Sequence, residues 1–557
     1  MSEDARSIRF GVLCDGFYLP SWQREAVGKL LSLPNVSLAL LIQVDTGNFE
    51  KNPTDNSFRR QLYRSYLNWL YSSSAKRKVS INDWAANVPL LICQAEKKPD
   101  VDCLRDADVN QIEKAQLDFI LHFSELPIKG RILKACRFGV WAFQYGSQPH
   151  NQDSLLGFWE IFNHELVTAV RLCRLVTSND IIILRQAFFQ TKLYTHSGLA
   201  NSIYQECAHW PADLIPQILA NKIIDFPTQS VAPKYEYPSN RQLLTFLARL
   251  IKHKLQYVYK TFLQADQWNI GVVNRPITDF LHPERLKDAT IDTPLLPNRN
   301  IFYADGFARQ EDYGTVIYFE AYDYRSRRGN ISRLTYPWST DSAPSKVLDF
   351  PFHLSYPFLF GPYCMPEAWS THSVRLYDLR QPVTSPTQGI LLLAGIPAID
   401  STLLKHDNRY WLFYTRTDRD AMLNLFISYA DLLDGPWHEH PQNPVKSDVR
   451  SARPAGPFFK DGGRLYRPAQ DCSLSYGSGI TVNEVLELTP TTFVERSVTY
   501  LTSIHPDFPD GMHTLTAIDE TSTLVDFKRH RFIPFATLLA LWIWIAPIAR
   551  NLLKRAK

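Results

Sequence analysis

The chain lacks an excess of either charge. Its 60 Lys and Arg stand against 56 Asp and Glu, a formal net charge of +4. No long basic patch precedes the C-terminal end, so the electrostatic footprint of a nucleic-acid-binding protein is missing. Cysteine is sparse. There are eight, none in a CxxC pair, and most sit in or beside apolar runs as buried free thiols do. The opening residues, MSEDARSIRFGV, lack the long apolar stretch of a signal peptide. Together these absences lead us to expect a protein of a reducing compartment, the cytoplasm. There is no GxGxxG and no P-loop, so nothing argues for a dinucleotide or ATP. No contiguous metal-liganding loop is visible. We therefore expect no cofactor and no metal.

What is present is length and β pattern. The 557 residues exceed one hydrophobic core. In the first part, the apolar run IRFGVLC, a turn at Asp15 and Gly16, the helix-like WQREAVGKLLSL and the run VSLALLIQV make a βαβ unit. DFILHF (118–123) and GVWAF (139–143) read as later strands. This spacing predicts an open parallel α/β sheet over 1–225. Ligands of such sheets bind beyond the carboxyl ends of the strands, which selects Asp15, Ser124 and the segment 144–157, including His150, Asn151 and Asp153. A linker and an amphipathic helix follow over 226–264. The helix carries Leu243, Leu244, Phe246, Leu247, Leu250, Ile251, Leu255 and Val258 on one wide face.

From 265 to 530 the chain turns β-rich. Hairpins with Asp, Asn and Gly in their turns recur about every 50 residues, the signature of a five-bladed propeller. Blades are expected near 301–335, 350–380, 390–430, 450–470 and 475–515, with 513–527 completing the ring. Acidic residues fall at similar points of these units: Asp305, Glu367, Asp400 and Asp471. Glu320, His353, Tyr356, Arg453, Arg467 and Tyr476 join them in the expected polar funnel. Paired carboxylates are what glycoside chemistry needs, one to activate water or attack and one to protonate the leaving oxygen. A carboxyl crowded by another holds its proton more tightly, which suits the acid.

Two resemblances rest on these segments. DFILHF, GVWAFQYG (139–146) and TAVRLCRLVTSNDI (168–181) resemble formyltransferases of the methionyl-tRNA type. The resemblance implies an Asn, a His and an Asp for the chemistry. Ala142 stands where the Asn would be and Gln144 where the His would be, while Asp180 matches the Asp. Two of three chemical residues are absent, which implies a degenerate site. The β-rich half is similar to the N-terminal region of plant glucosamine inositolphosphorylceramide transferase. It also resembles five-bladed glycoside hydrolases of the arabinanase/xylosidase type. YADGFARQEDYGTVIYFEAYDY (303–324), HLSYPFLF with MPEA, GIPAIDSTLLKHDNRYWLFYT (395–415) and SARPAGPFFKDGGRLYRPAQDCS with YGSGI carry that likeness. It implies Asp305 as the catalytic base and Asp400 as the aspartate that tunes the acid. The fourth-blade Glu of those hydrolases has no counterpart, since RSARPAG lies there. Glu367 takes the acid role if the site is rearranged, with Glu484 a weaker candidate.

The last segment, 531–557, follows KRHR (528–531). It contains an uncharged run of 18 residues, FIPFATLLALWIWIAPIA (532–549), and ends in RNLLKRAK. An apolar run with basic flanks predicts membrane association at an anionic, cytoplasmic face. The reading that emerges is a protein acting on a glycan or glycolipid, with Asp305, Asp400 and Glu367 as catalytic residues. The alternatives are glycan recognition without catalysis, or formyl or acyl transfer to an amino sugar by the first domain.

Overall fold

A computed structural model describes residues 7–45, 61–94, 104–124, 128–146, 155–177, 180–219, 229–230, 237–312, 314–339 and 343–532. The apolar run beyond Phe532, and His150, Asn151 and Asp153, lie outside these residues. The chain divides into two compact units, Met1–Lys254 and Leu255–Lys557.

The first unit is built on one eight-stranded sheet. Its strands are β1 (Ile8–Cys14), β2 (Val36–Asp45), β3 (Leu90–Gln94), β4 (Phe119–His122), β5 (Val140–Tyr145), β6 (Val167–Leu175), β7 (Asp180–Gln190) and β8 (Gln229–Ser230). The order is β8-β7-β6-β5-β4-β1-β2-β3. The five strands from β3 to β5 run parallel, and β6, β7 and β8 continue antiparallel. Parallel strands are covered on both faces, which is why β1 and β4 read as unbroken apolar runs. Phe10, Phe119 and Trp141 stack across one face, with ring centroids 5.5 and 4.1 Å apart. On the other face Leu13, Ile42, Ile120 and Val140 join one buried cluster. Helices α1 (Ser21–Leu31), α2 (Asp106–Lys114) and α3 (His196–Cys207) accompany the sheet. The seven described cysteines are free and buried.

Helix α4 (Asn240–Leu263) runs directly into the second unit. Of the eight apolar residues that suggested a packed face, Leu243 and Phe246 are buried. Leu244, Ile251, Leu255 and Val258 are 60, 61, 65 and 39 % exposed.

The second unit is a five-bladed propeller. Blade one comprises Ile301–Glu311, Gly314–Asp323, Arg328–Tyr336 and Ser345–Leu348. Blade two comprises Ser355–Phe360, Tyr363–Glu367, Ser373–Asp378 and Ile390–Ala394. Blade three comprises Ala398–His406, Arg409–Arg416, Asn424–Ala430 and His438–Glu439, with Lys446–Ser447 also on its third strand. Blade four comprises Phe459–Asp461, Arg464–Asp471, Gly479–Leu488 and Phe493–Leu501. The blade boundaries therefore differ from those expected. The strand at 390 closes blade two, and the segments near 450–470 and 475–515 form one blade rather than two.

Blade five is assembled from both ends of the unit. Thr523–Phe532 pairs on one side with Gln264–Val273 and on the other with Leu515–Ala517, and Ile291–Asp292 lies outermost on Gln264–Val273. The ladder between Gln264–Val273 and Thr523–Phe532 runs without a break from Gln264–Phe532 to Val273–Thr523. This closure joins the two ends of the unit in one sheet. The KRHR tetrad, expected to begin a tail, lies inside this last strand, and Lys528 is fully buried.

An ion triad stiffens blade four. The buried Glu495 accepts from Arg467 at 2.6 and 2.8 Å and from Lys446 at 2.6 Å. Burial alone would raise this carboxyl, but the two cations hold it down to about 2. Glu495→Ala strands two buried cations and is expected to destabilise the protein by about 3–5 kcal/mol. Chemical denaturation followed by tryptophan fluorescence measures this. A loss below about 1 kcal/mol would show that water replaces the carboxylate.

Candidate functional site

The inner strands of the first three blades share one irregularity. Each ladder slips between Ala304 and Phe307, between Ser355 and Phe358, and between Ile399 and Thr402. The bulged residues Asp305, Tyr356 and Asp400 have φ of 55, 43 and 48°, a left-handed conformation that non-glycine residues rarely adopt. Bulges of this kind re-aim a side chain and occur beside functional sites. Gly306 follows the first because blade five presses on it. A Cβ there would stand 2.7 Å from a methyl of Leu524.

A bulge frees a backbone N–H from its ladder, and each freed N–H finds the preceding blade. Asp305 N–H donates to Asp526 Oδ2 (2.9 Å), Tyr356 N–H to Asp305 Oδ2 (3.1 Å) and Asp400 N–H to Glu367 Oε2 (3.3 Å). In blade four, Gly456 N–H donates to the Tyr356 hydroxyl (2.7 Å). Carboxylates are thus carried into the interior as hydrogen-bond acceptors.

A second ring comes from the next strand of each blade. Glu320 lies opposite Ala304, Glu367 opposite Ser355 and Thr415 opposite Ile399. Gln470 N–H donates to the Arg453 carbonyl, and Asp526 follows the Leu515–Val525 pair by one residue. Glu367 is therefore the counterpart of Glu320 and not, as its sequence position suggested, of Asp305 and Asp400. All five of these side chains are buried. Among the described residues, Glu320 Oε1, Thr415 Oγ1 and Gln470 Oε1 have no hydrogen-bond partner. Buried polar atoms of this sort await water or a ligand.

Five carboxyls, Asp305, Glu320, Glu367, Asp400 and Asp526, share this space with Arg453 and His513. Asp400 Oδ2 receives Arg453 Nε at 2.5 Å and Gln470 Nε2 at 2.7 Å. His513 presents Nδ1 to Asp526 at 2.6 Å and Nε2 to Asp305 at 3.3 Å. Burial opposes its charge, yet the two flanking carboxylates raise its proton affinity above the ordinary value. Asp526 is also buried, but His513 and three backbone N–H groups hold it below the ordinary range. Glu320 and Glu367 are pushed well above the usual range, first by burial and then by neighbouring carboxylates. Asp305 rises to about 7, because burial and the carboxyls of Asp400 and Asp526 outweigh His513. The site thus holds proton donors and a carboxyl poised between its two states.

Aromatic rings line one side. Trp268 stacks on His513 at 4.0 Å, Tyr476 meets His513 edge-on at 5.3 Å, and Arg453 lies over Tyr476 at 4.9 Å. His353 accepts the Gly329 N–H on Nδ1 at 2.9 Å and turns Nε2 toward Glu320 Oε1, 3.7 Å away.

Several expected residues lie elsewhere. Arg467 belongs to the ion triad and to the carbonyls of Ser451 and Ala452. Asp471 follows Gln470, so it leaves the strand on the opposite face and caps the N–H of Ser473 at 2.7 Å. Glu484 pairs with Arg496 at 2.5 Å. The Tyr356 hydroxyl is occupied by Thr402 and Gly456, which makes it a strut between blades. Trp268, Gln470, His513 and Asp526 went unrecognised. The spacing from Asp305 to Glu320 recurs from Asp400 to Thr415, but none of the four unrecognised residues stands at that spacing from a bulged residue. Asp305, His513 and Asp526 also bring one ligand atom each within 4.8 Å of one another, a set that could hold a cation.

In the first unit, Asp15 and the Ser124 hydroxyl are hydrogen-bonded at the carboxyl ends of β1 and β4. Asp15, Trp22, Phe123, Phe143 and Tyr145 line a cavity of about 80 Å³ there. Ala142 is packed into the core opposite Cys173, and Gln144 is buried opposite Arg171. Asp180 does not join them. It begins β7 beyond the Leu175–Ile181 pair, at the level of Val140, and bonds Thr177 in the turn. Four residues of strand, roughly 13 Å, separate that level from Gln144. The buried acid near the end of β5 is Glu160. Its carboxyl lies against Gly146, and burial raises it to about 7.

Residues 296–506 match the family model described as glucosamine inositolphosphorylceramide transferase 1, N-terminal. This range holds blades one to four. The glucosamine inositolphosphorylceramide transferases 1 of Oryza sativa subsp. indica and subsp. japonica are each 34% identical to this chain over 209 residues. That is 35% of this chain and 28% of each relative, so the chain spans under a third of the length of these curated relatives. Among solved structures, an exo-β-1,3-galactanase from Phanerochaete chrysosporium is similar at 12% identity and a TM-score of 0.28, over 39% of this chain and 58% of that one. A glycinamide ribonucleotide transformylase from Symbiobacterium toebii is similar at 14% identity and a TM-score of 0.28, over 41% and 94%.

The raised Glu320 gives a signed prediction. A carboxyl that is harder to ionise when folded contributes stability below its ordinary value of 4.5, which is lost as pH rises toward the folded value. Glu320→Gln should match the parent near about pH 4 and exceed it in unfolding midpoint near about pH 9. Thermal melts at both pH values check this, and an equal shift at the two would refute burial as the cause.

Proposed function

We propose that the propeller acts on a glycosyl bond of a glycan or glycolipid. Asp305 serves as the base and Glu367 as the acid. The observation that carries this reading is the convergence of buried carboxyls from separate blades on one space. Asp305, raised to about 7, suits a general base. Glu367, beside the Asp400–Arg453 pair, is raised by burial and its carboxylate neighbours, which suits a group that gives a proton to a leaving oxygen. Arg453 keeps Asp400 engaged, so Asp400 tunes the acid through a shared hydrogen-bond network.

The likeness of residues 296–506 to the N-terminal region of an enzyme named for glucosamine and inositolphosphorylceramide supports a sugar-bearing lipid as substrate class. The buried Glu320, with one oxygen lacking a hydrogen-bond partner, suits recognition of a sugar hydroxyl.

The test is turnover and binding on a panel of glycans and glycosylated inositol phospholipids. Asp305→Asn and Glu367→Gln are each expected to lower turnover about a hundredfold or more while changing binding less than about threefold. Binding without turnover by the parent protein would reduce the site to recognition. Neither binding nor turnover across the panel would overturn the proposal.

A further inference from the structure

Helix α4 carries an exposed apolar stripe that the propeller site does not explain. Leu244, Ile251, Leu255 and Val258 recur at helical spacing and are 39 to 65 % exposed. The helix contains Arg241, Arg249, Lys252, Lys254 and Lys260 and not one acidic residue. An amphipathic helix with a bare apolar stripe and cationic flanks is the form that lies in the interface of an anionic membrane.

A second, independent observation comes from the blade-five ladder. Helix α4 ends at Leu263, and the next residue, Gln264, pairs with Phe532. The chain therefore departs toward its uncharged run beside the C-terminal end of this helix. Phe532 itself is 58 % exposed. The same corner gathers Arg299, Arg529 and Arg531, and the guanidinium of Arg531 donates to the Arg299 carbonyl at 3.1 Å. Partial burial and the two neighbouring guanidiniums depress Arg531. The nearby carboxylate, Asp266, is engaged by His530 at 2.8 Å. Positive charge at this corner is thus concentrated on itself rather than neutralised.

We infer that the exposed face of α4 is a lipid-contacting surface that seats on an anionic bilayer, with the exposed Phe532 beside its C-terminal end. No described helix is long and apolar enough to cross a membrane, so this contact is parallel to the surface. It would hold the propeller near a lipid-borne substrate, but it does not depend on the propeller's chemistry.

Two measurements on the full chain test it. The first is co-sedimentation with phosphatidylcholine vesicles with and without phosphatidylserine. Binding should require phosphatidylserine and weaken with salt, and the pair Leu255→Glu and Val258→Glu should weaken it roughly tenfold or more. Binding that is absent, or indifferent to that pair, overturns the inference. The second uses an environment-sensitive fluorophore on Leu255→Cys. Its emission should shift to the blue only when phosphatidylserine vesicles are added. A shifted emission in the free protein would mean that the C-terminal run or a second copy covers the stripe, and would overturn the inference. So would no shift with vesicles.

Discussion

Three backbone N–H groups govern the centre of the propeller. A bulge in each of the first three blades removes the N–H of Asp305, Tyr356 and Asp400 from its ladder. A buried N–H without an acceptor costs about as much as a lost hydrogen bond, and usually more. Asp526, Asp305 and Glu367 remove that cost, each reaching from the blade before. Here the acceptors are buried carboxyls, whereas the N–H of Gly456 is met by the Tyr356 hydroxyl. Burial raises the proton affinity of Asp305, Glu320 and Glu367, while His513 holds Asp526 down and Arg453 engages Asp400. Structural need and chemical capacity fall on the same atoms.

The amount of this that was legible in the sequence follows from how the repeat is cut. Asp305 and Asp400 were legible because the runs YADGF and GIPAIDST sit within unbroken hairpins. Glu320 and Glu367 were visible as acids, but their register could not be assigned without the pairing. Gln470 was passed over for Asp471 because the two differ only in which face of one strand they occupy, and a shift of one residue exchanges them. Trp268, His513 and Asp526 were hidden for a different reason. Blade five is split between residues 264–292 and 515–532, so the hairpin expected to complete the ring does not reveal Gln264–Val273 as its partner strand.

The first unit shows the same division. Its strands were legible as apolar runs because a parallel sheet buries both faces. Asp180 was misplaced because sequence alignment does not report that β6 and β7 double back through a tight turn at the other end of the sheet. In α4 the amphipathic period was evident, but periodicity identifies an apolar face without saying whether protein covers it. Leu243 and Phe246 are covered, whereas Leu244 and Leu255 are not.

The split blade has a consequence for the order in which the molecule comes into being. During synthesis Gln264–Val273 leaves the ribosome about 250 residues before Thr523–Phe532, the strand it must pair with. Until then the early strand has an unpaired flank, and blades one to four form an open arc. Asp526 and His513 arrive with the last segment, so the left-handed backbone at Asp305 acquires its acceptor only when the circle shuts. A nascent chain thus holds blades one to four before its fifth is whole. Thr523–Phe532 brings both the clasp and Asp526, so the strand that closes the ring is also the one that completes the hydrogen bonding at Asp305.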